Sequence, residues 1–393
     1  MSDQNYYHRG DLAKRLADDL LGINTVSTAA SGLFLAAPRR VGKSTFIKID
    51  LVPELQKRSV ETIYVDLWSD KTRDPAELLH NAIKEKFSEH EGLLAKAGRR
   101  LKKINMGAHG YSLGIDFDKL GKEGGPTIAD ALDKLHRKLD KPIALIIDEA
   151  QGALATEAGR QMMFAVKAAR DRLNVGQNSP NLLLICTGSD RSKLASLLTR
   201  KDQPFFGSSL SPFPFLDEGY TNQVSGILNK DRLPEKRFDP EVIWKAFGIV
   251  SHRPEELLQS LKDAMTSTED VNIAVIRIAE DRARARLQET ATQFEMLTPP
   301  QKAVLIRMIE LGEQFAPFDK DALGFYGSYT KSKDFTAATV QSALESLTNK
   351  NIVWSSGRGV YAIEDAGVWT KWFEERGENA KASEKKASAP HRK

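Results

Sequence analysis

The sequence predicts an α/β fold, a doubly wound parallel sheet, in the first half of the chain, with a purely helical stretch and then a helix-and-hairpin unit behind it. Three observations carry the prediction. The apolar runs at 33–36, 143–147 and 182–186 are continuous rather than alternating, which suits parallel strands covered on both faces. Helical periodicity fills intervals between strands, notably at 75–90 and 127–139. From about residue 217 the pattern is helical until the β-rich runs at 352–354 and 360–363, which flank a glycine-bearing turn.

The first strand runs into Ala37-Pro38-Arg39-Arg40-Val41-Gly42-Lys43-Ser44-Thr45. A buried strand that turns into a helix aims successive backbone N–H groups at one spot, and the helix dipole adds to them, so the segment suits a polyphosphate. Pro38 to Thr45 form the cradle, Lys43 reaches the β- and γ-phosphates, and the Ser44 hydroxyl ligates Mg²⁺. Ala37 stands where such loops usually carry glycine, and alanine cannot freely take a positive φ. A Gly-Lys-Ser at a helix start also arises by chance; the strand in front of it favours the phosphate loop.

Between these elements, 60–67 reads as a further strand. Arg99-Arg100-Leu101-Lys102-Lys103, a glycine-interleaved stretch and the turn-rich 122–126 read as a hairpin insertion at about 104–126. Its basic run suits either nucleic acid or plain solvation. The run 143–147 ends in Asp148-Glu149, with Asp148 placed for the Mg²⁺ shell and Glu149 to orient or deprotonate a water. An acidic pair there is equally a solvated strand end; the phosphate loop makes the joint pattern strong. The strand at 182–186 leads into Thr187-Gly188-Ser189 and, if inserted between the other two, brings Thr187 to the γ-phosphate or the water. Thr-Gly-Ser is also ordinary turn chemistry. Phe213-Pro214-Phe215-Leu216 reads as a short edge strand, where proline is tolerated.

The set formed by 38–44, Asp148-Glu149-Ala150-Gln151, Thr187-Gly188-Ser189 with Arg191-Ser192-Lys193-Leu194, and His252-Arg253-Pro254 resembles the archaeal-type P-loop ATPases, relatives of the AAA+ and STAND enzymes. The similarity spans roughly 6–265, and such proteins usually carry a winged-helix domain after the ATPase. The resemblance implies ATP as the nucleotide and a P-loop NTPase sheet with a helical lid. It also implies that Arg253 is the second sensor, an arginine of the lid that contacts the γ-phosphate. Ser251 replaces the more usual glycine there, and Arg253 is otherwise an unremarked arginine at a helix start. Arg191 and Arg200 are weaker candidates for action across a subunit interface. Tyr7-His8-Arg9-Gly10-Asp11 resembles the segment leading into the core beside the adenine, and a helix cap explains it equally well.

The length of 393 residues allows two or three domains. The expected division is a P-loop core at 1–216, a helical lid and linker helix at 217–297, a winged helix-turn-helix domain at 298–376 and a disordered Ala/Ser-rich tail at 377–393. Arg282, Arg284 and Arg286 alternate, which reads as a solvated linker helix. No apolar run is long enough for a membrane helix, and Met1 to Asn5 lacks a basic-then-apolar signal pattern. Cys186 is the single cysteine, which excludes an internal disulfide framework and a cysteine-rich zinc site, so a cytoplasmic protein is expected.

In the last domain Thr298 caps a helix with Pro299 in its first turn, 319–329 and 336–349 form two more helices, and the hairpin makes the wing. If this module reads duplex DNA, Thr339, Gln341, Ser342 and Lys350 face the major groove. Residues 298–375 hold eight basic and ten acidic side chains, a net charge of −2, so DNA binding needs a local cluster of cations and a protein effector is an equal candidate. The combined expectation is a Mg²⁺-dependent ATPase whose nucleotide state controls lid and winged-helix arrangement and self-association into a homo-oligomer. The alternative is a non-hydrolysing nucleotide-gated switch or DNA-binding regulator. Pathway, oligomer number and the partner of the winged helix are not written in the residues.

Overall fold

The computed structural model describes residues 6–24, 26–38, 41–70, 72–101, 115–121, 123–176, 180–332, 335–357 and 360–387. The chain divides into two contact units, one formed by 8–213 and the other by 1–7 with 214–393. The helical and winged-helix segments share the second of these units.

In the first unit, α1 (Gly10–Leu20) precedes β1 (Leu33–Ala36), which enters the phosphate loop and α2 (Lys43–Phe46). One wider turn at Ile47–Leu51 joins α2 to α3 (Val52–Lys57), followed by β2 (Glu61–Asp66) and α4 (Pro75–Leu101). Next come α5 (Ile128–Leu139), β3 (Ile143–Asp148), α6 (Glu157–Asn174), β4 (Leu182–Gly188), α7 (Arg191–Thr199) and β5 (Leu210–Pro212). The five strands are all parallel in the order β2-β3-β4-β1-β5, so β4 is inserted between the strands that carry the loop and the acidic pair.

Side-chain alternation makes the sheet two-sided. Phe34, Ile63, Leu145 and Leu184 face α4, α5 and α6, while Leu35, Ile146, Leu183 and Ile185 face α1 and the α2–α3 stretch. Burial on both faces explains why β1, β3 and β4 read as unbroken apolar runs. Thr127 starts α5 with a reciprocal cap: its hydroxyl accepts from Asp130 N–H at 3.1 Å, and Asp130 accepts from Thr127 N–H at 2.9 Å. The edge strand is Leu210–Pro212, just before the predicted 213–216; Phe213 instead buries its ring against Phe46. Of the predicted insertion, 102–114 and Lys122 lie outside the described residues. The remainder holds one tight turn at Phe117–Lys119, with Phe117 edge-on to Phe87.

The second unit contains α8 (Glu218–Asn229), α9 (Pro240–Ile249), α10 (Pro254–Met265) and α11 (Val271–Glu295). These pack around Tyr220, Ile243, Phe247, Leu261 and Val275. Then follow α12 (Pro299–Leu311), α13 (Lys320–Thr330), α14 (Ala337–Asn349), β6 (Val353–Gly357), β7 (Val360–Ile363) and α15 (Ala366–Ala387). Asp319 and Thr336 cap α13 and α14. β6 and β7 pair antiparallel, Val353 opposite Ile363, giving the winged-helix order; Arg358 and Gly359 of the wing turn lie outside the described residues.

One helix serves two cores. The first half of α11 packs Ala274, Val275 and Ala279 among the lid helices, and its second half packs Leu287 and Phe294 with Val304, Tyr326, Leu344 and Trp372. Arg282 and Arg286, one turn apart, face α10 through Asp263 (2.7 Å) and Glu256, and only Arg284 points outward. The alternation therefore leaves one arginine exposed and ties the other two to a neighbour. The segment predicted as a disordered tail from Gly377 is helical as far as Ala387, and 388–393 lie outside the described residues.

Candidate functional site

The carboxyl ends of β1, β3 and β4 meet at the point where the strand order reverses, the usual crevice of an open parallel sheet. β1 continues its ladder by one bond, Ala37 N–H to Gly188 O at 3.2 Å, and the Ala37 side chain is fully buried. The left-handed turn comes at Gly42 (φ 86°, ψ 12°), immediately before α2, and Ala37 needs no positive φ. The alanine at the usual glycine position is thus harmless, because strain is taken up five residues later. A cavity of about 340 Å³ opens there, bounded by Gly42, Lys43, Ser44, Trp68, Glu149 and Ser189, with Pro38, Val41 and Thr45 at its rim. Arg39 and Arg40, both expected to hold phosphate, lie outside the described residues.

Lys43 is 5% exposed, and its Nζ lies 3.7 Å from Glu149 Oε1. Burial pushes its ammonium below the ordinary lysine value, against the opposing pull of Glu149 and Asp148. A dehydrated cation at a cavity wall, with a single carboxylate oxygen at long range, fits a polyanion.

Asp148 is 1% exposed. Its Oδ2 accepts from the Tyr64 phenol at 2.7 Å, its Oδ1 accepts from the Thr187 hydroxyl, and the Ser44 hydroxyl bonds to the same carboxylate. Burial favours the neutral acid, yet the donors from Ser44, Thr187 and Tyr64 outweigh it and hold the group below the usual carboxylate range. Ser44 and Asp148, two hard oxygen donors from separate strand ends, are the residues here that could hold a divalent ion. Among the described residues no group of three or more His, Cys, Asp or Glu could hold a metal ion.

Glu149 sits in the left-handed region (φ 53°, ψ 43°), uncommon for a residue with a side chain. That turn swings its carboxylate to the end of β4, where Oε2 accepts from Ser189 N–H (3.1 Å), Ser189 Oγ (2.8 Å) and the Gln151 amide. Oε1 faces Lys43.

Two residues at this site, Ser189 and Trp68, escape the motif reading. Thr187 is fully buried and serves Asp148, and Ser189, two positions on, lines the cavity. Period-two alternation explains both: Thr187 shares a sheet face with Asp148 on the adjacent strand. Trp68 forms a wall, positioned by its N–H to Asp66 Oδ1 at 2.8 Å, and its only sequence signal is its place just past β2. Asp66, paired in register with Asp148, is pushed above its ordinary value by burial and by Asp148 and Glu149.

His8 and Arg9 are anchored on the buried Asp50, through Nδ1 at 2.8 Å and a backbone N–H at 3.0 Å, and the Arg9 guanidinium lies over Phe213 at 4.9 Å. Arg191 opens α7, and the exposed Arg200 pairs with Asp202 at 2.8 Å.

In the other unit, Ser251 and His252 both take left-handed backbone (φ 57° and 54°) after α9, so serine adopts the conformation that glycine would take without strain. Arg253 directly precedes α10; its guanidinium pairs with Asp365 and lies 3.4 Å from Glu256. On α14, Gln341, Ser342 and Lys350 are exposed and Thr339 is half-buried, but Gln341 bonds Glu345 on the same face at 2.8 Å.

No protein-family model matches the chain, and no curated protein matches it. Among solved structures, the Aeropyrum pernix ORC2 protein in its ADP form matches 93% of this chain over 93% of its own length, at 14% identity and a TM-score of 0.53. The ADPNP–ADP form of ORC2 (97% and 98% covered, 14% identity, TM-score 0.49) and the Aeropyrum pernix ORC1 protein in complex with DNA (97% of each chain, 14%, 0.42) also match. No helix of the described residues is long and apolar enough to cross a membrane. The chain has the fold of the ORC2 protein, a P-loop NTPase sheet followed by a helical segment and a winged helix, in agreement with the archaeal-type ATPase resemblance carried by its motifs.

Proposed function

We propose that this protein is a Mg²⁺-dependent P-loop ATPase of the AAA+/STAND-like class, whose nucleotide state controls its helical lid, winged helix and self-association. One observation carries the reading: a buried, dehydrated Lys43 faces the same cavity as Ser44, Glu149 and Ser189, with Asp148 bonded to Ser44 behind them. ATP is the nucleotide suggested by the motif resemblance.

Lys43 and the loop N–H groups would hold the β- and γ-phosphates, and Ser44 and Asp148 the magnesium ion. When bound, Mg²⁺ neutralises charge between the phosphates. Ser189 keeps Glu149 aimed at the cavity, where its carboxylate orients a water or takes its proton. Arg253 is proposed as the lid arginine that senses the γ-phosphate, with its tie to Asp365 linking that event to the winged helix. Duplex DNA or a protein effector would meet the α14 face.

Glu149→Gln should retain nucleotide binding and lower multiple-turnover phosphate release at least about 100-fold. Unchanged turnover in this variant refutes the hydrolytic assignment.

One observation favours a second reading, a nucleotide-gated switch without turnover. Glu149 Oε2 is fully engaged by Ser189 and Gln151, which leaves one oxygen, facing Lys43. Absence of phosphate release from the wild-type chain, with and without duplex DNA, supports the switch.

A further inference from the structure

We infer that Tyr64, on the outer strand of the sheet, is a positioning residue for the metal-binding carboxylate of Asp148. The inference rests on the reading of Asp148 given above. Tyr64 stands opposite Ile146 in the β2–β3 register, and its side chain lies on the sheet face shared by Ile146 and, one alternation further, Asp148. From there the phenol spans to the strand end and donates to Asp148 Oδ2 at 2.7 Å. Thr187, reaching from the opposite neighbour β4, donates to Oδ1. The carboxylate is therefore clamped between hydroxyls of its two flanking strands, one on each oxygen, and Oδ1 also accepts from the Glu149 N–H at 3.1 Å. Such a clamp fixes the rotation of the group, so that the carboxylate is held in one orientation.

Tyr64 is itself held. The Lys48 ammonium, from the turn between α2 and α3, sits 4.5 Å from the centre of its ring, which pins the ring and polarises the phenol O–H toward stronger donation. Both residues border an open basin of about 920 Å³ beside β2, with Asp66 and Arg73 also on its walls. A half-buried phenol needing only a hydrogen-bond partner would be served by any acceptor or by water; here the acceptor is a buried carboxylate that Thr187 and the Glu149 N–H also hold, an arrangement that orders an ion ligand rather than a core.

The experiment uses the full chain saturated with ADP and measures Mn²⁺ binding by the loss of the free-ion paramagnetic signal. Tyr64→Phe keeps the ring and removes the donor. It should weaken Mn²⁺ binding about tenfold, the size typical for loss of a group that orients a metal ligand, while ADP affinity in EDTA and the metal-free melting temperature stay near wild type. A lower melting temperature with unchanged Mn²⁺ affinity marks the hydroxyl as structural only and overturns the inference. Asp148→Asn is the control: if it weakens Mn²⁺ binding and Tyr64→Phe does not, the role of Tyr64 alone fails. If neither variant changes Mn²⁺ affinity, the metal role of Asp148 fails with it.

Discussion

The two units handle charge in opposite ways. At the strand ends of the first, Lys43 and Asp148 are 5% and 1% exposed, and Asp148 accepts from the hydroxyls of Tyr64 and Thr187 and from the Glu149 N–H at 3.1 Å. In the second, the Arg253–Asp365 pair is 26% and 40% exposed and shares Glu256 with Arg286, within reach of water. The difference teaches where binding energy can be stored. Buried, incompletely paired charge is costly without a ligand and rewards one strongly, whereas half-exposed pairs exchange partners at little cost. The first arrangement suits gripping a polyphosphate and the second suits a movable joint.

The sharpest way to break the contrast is Lys43→Ala. Nucleotide affinity in a fluorescent-analogue titration should fall about 100-fold, equivalent to about 3 kcal/mol for a lost charged contact. An affinity within threefold of wild type would place Lys43 among ordinary buried cations and remove the distinction between the units.

Acid titration of metal-free protein comes next in size. Asp148 is held below its ordinary 3.8 in the folded state, so its contribution to stability is complete above that value and is lost as pH falls through the lower folded value. Asp66 is raised above 3.8, so its contribution is present below 3.8 and is lost as pH rises through the higher folded value. Asp148→Asn should destabilise the protein by about 2 kcal/mol at pH 7, the order of a broken buried hydrogen-bond set, with the deficit closing at strongly acid pH. Asp66→Asn should have the opposite sign at pH 7 and a smaller size. Urea unfolding midpoints at pH 3, 5 and 7 read both, and the same sign in the two variants contradicts the assignment.

The smallest effect lies in the second unit. A double-mutant cycle on Arg253→Ala and Asp365→Asn, read by thermal unfolding without nucleotide, should give a coupling of about 0.5 kcal/mol that shrinks further in 0.5 M salt. A salt-insensitive coupling several times larger would make this pair resemble the buried groups of the first unit.

The position of the loop and of the acidic pair was readable because it is local: Gly42, Lys43 and Ser44 follow β1, and Asp148 and Glu149 end β3, where neighbours in sequence remain neighbours in space. The strand pattern was readable too, since burial on both faces leaves unbroken apolar runs at β1, β3 and β4. Composition did less well. The tail from Gly377 has the residues of a solvated segment and continues as helix to Ala387, extending an element anchored by Trp369 and Trp372. The arginines of α11 show why periodicity needs a partner: spacing separates Arg284 from Arg282 and Arg286, but only the position of α10 says which face is covered.

By itself, then, the sequence determined the order of the elements, the phosphate loop, the acidic pair and the helix–helix–helix–hairpin of the winged helix, all written in short-range spacing and hydrophobic period. Tertiary structure alone decided that β4 lies between β3 and β1, that Thr187 turns to Asp148 while Ser189 meets Glu149, and that Tyr64 and Trp68 come from β2 and its end to the same crevice. The physical reason is that strand order and the register between strands are set by packing among segments tens of residues apart, and no local pattern encodes which side chain of one strand will face which atom of the next.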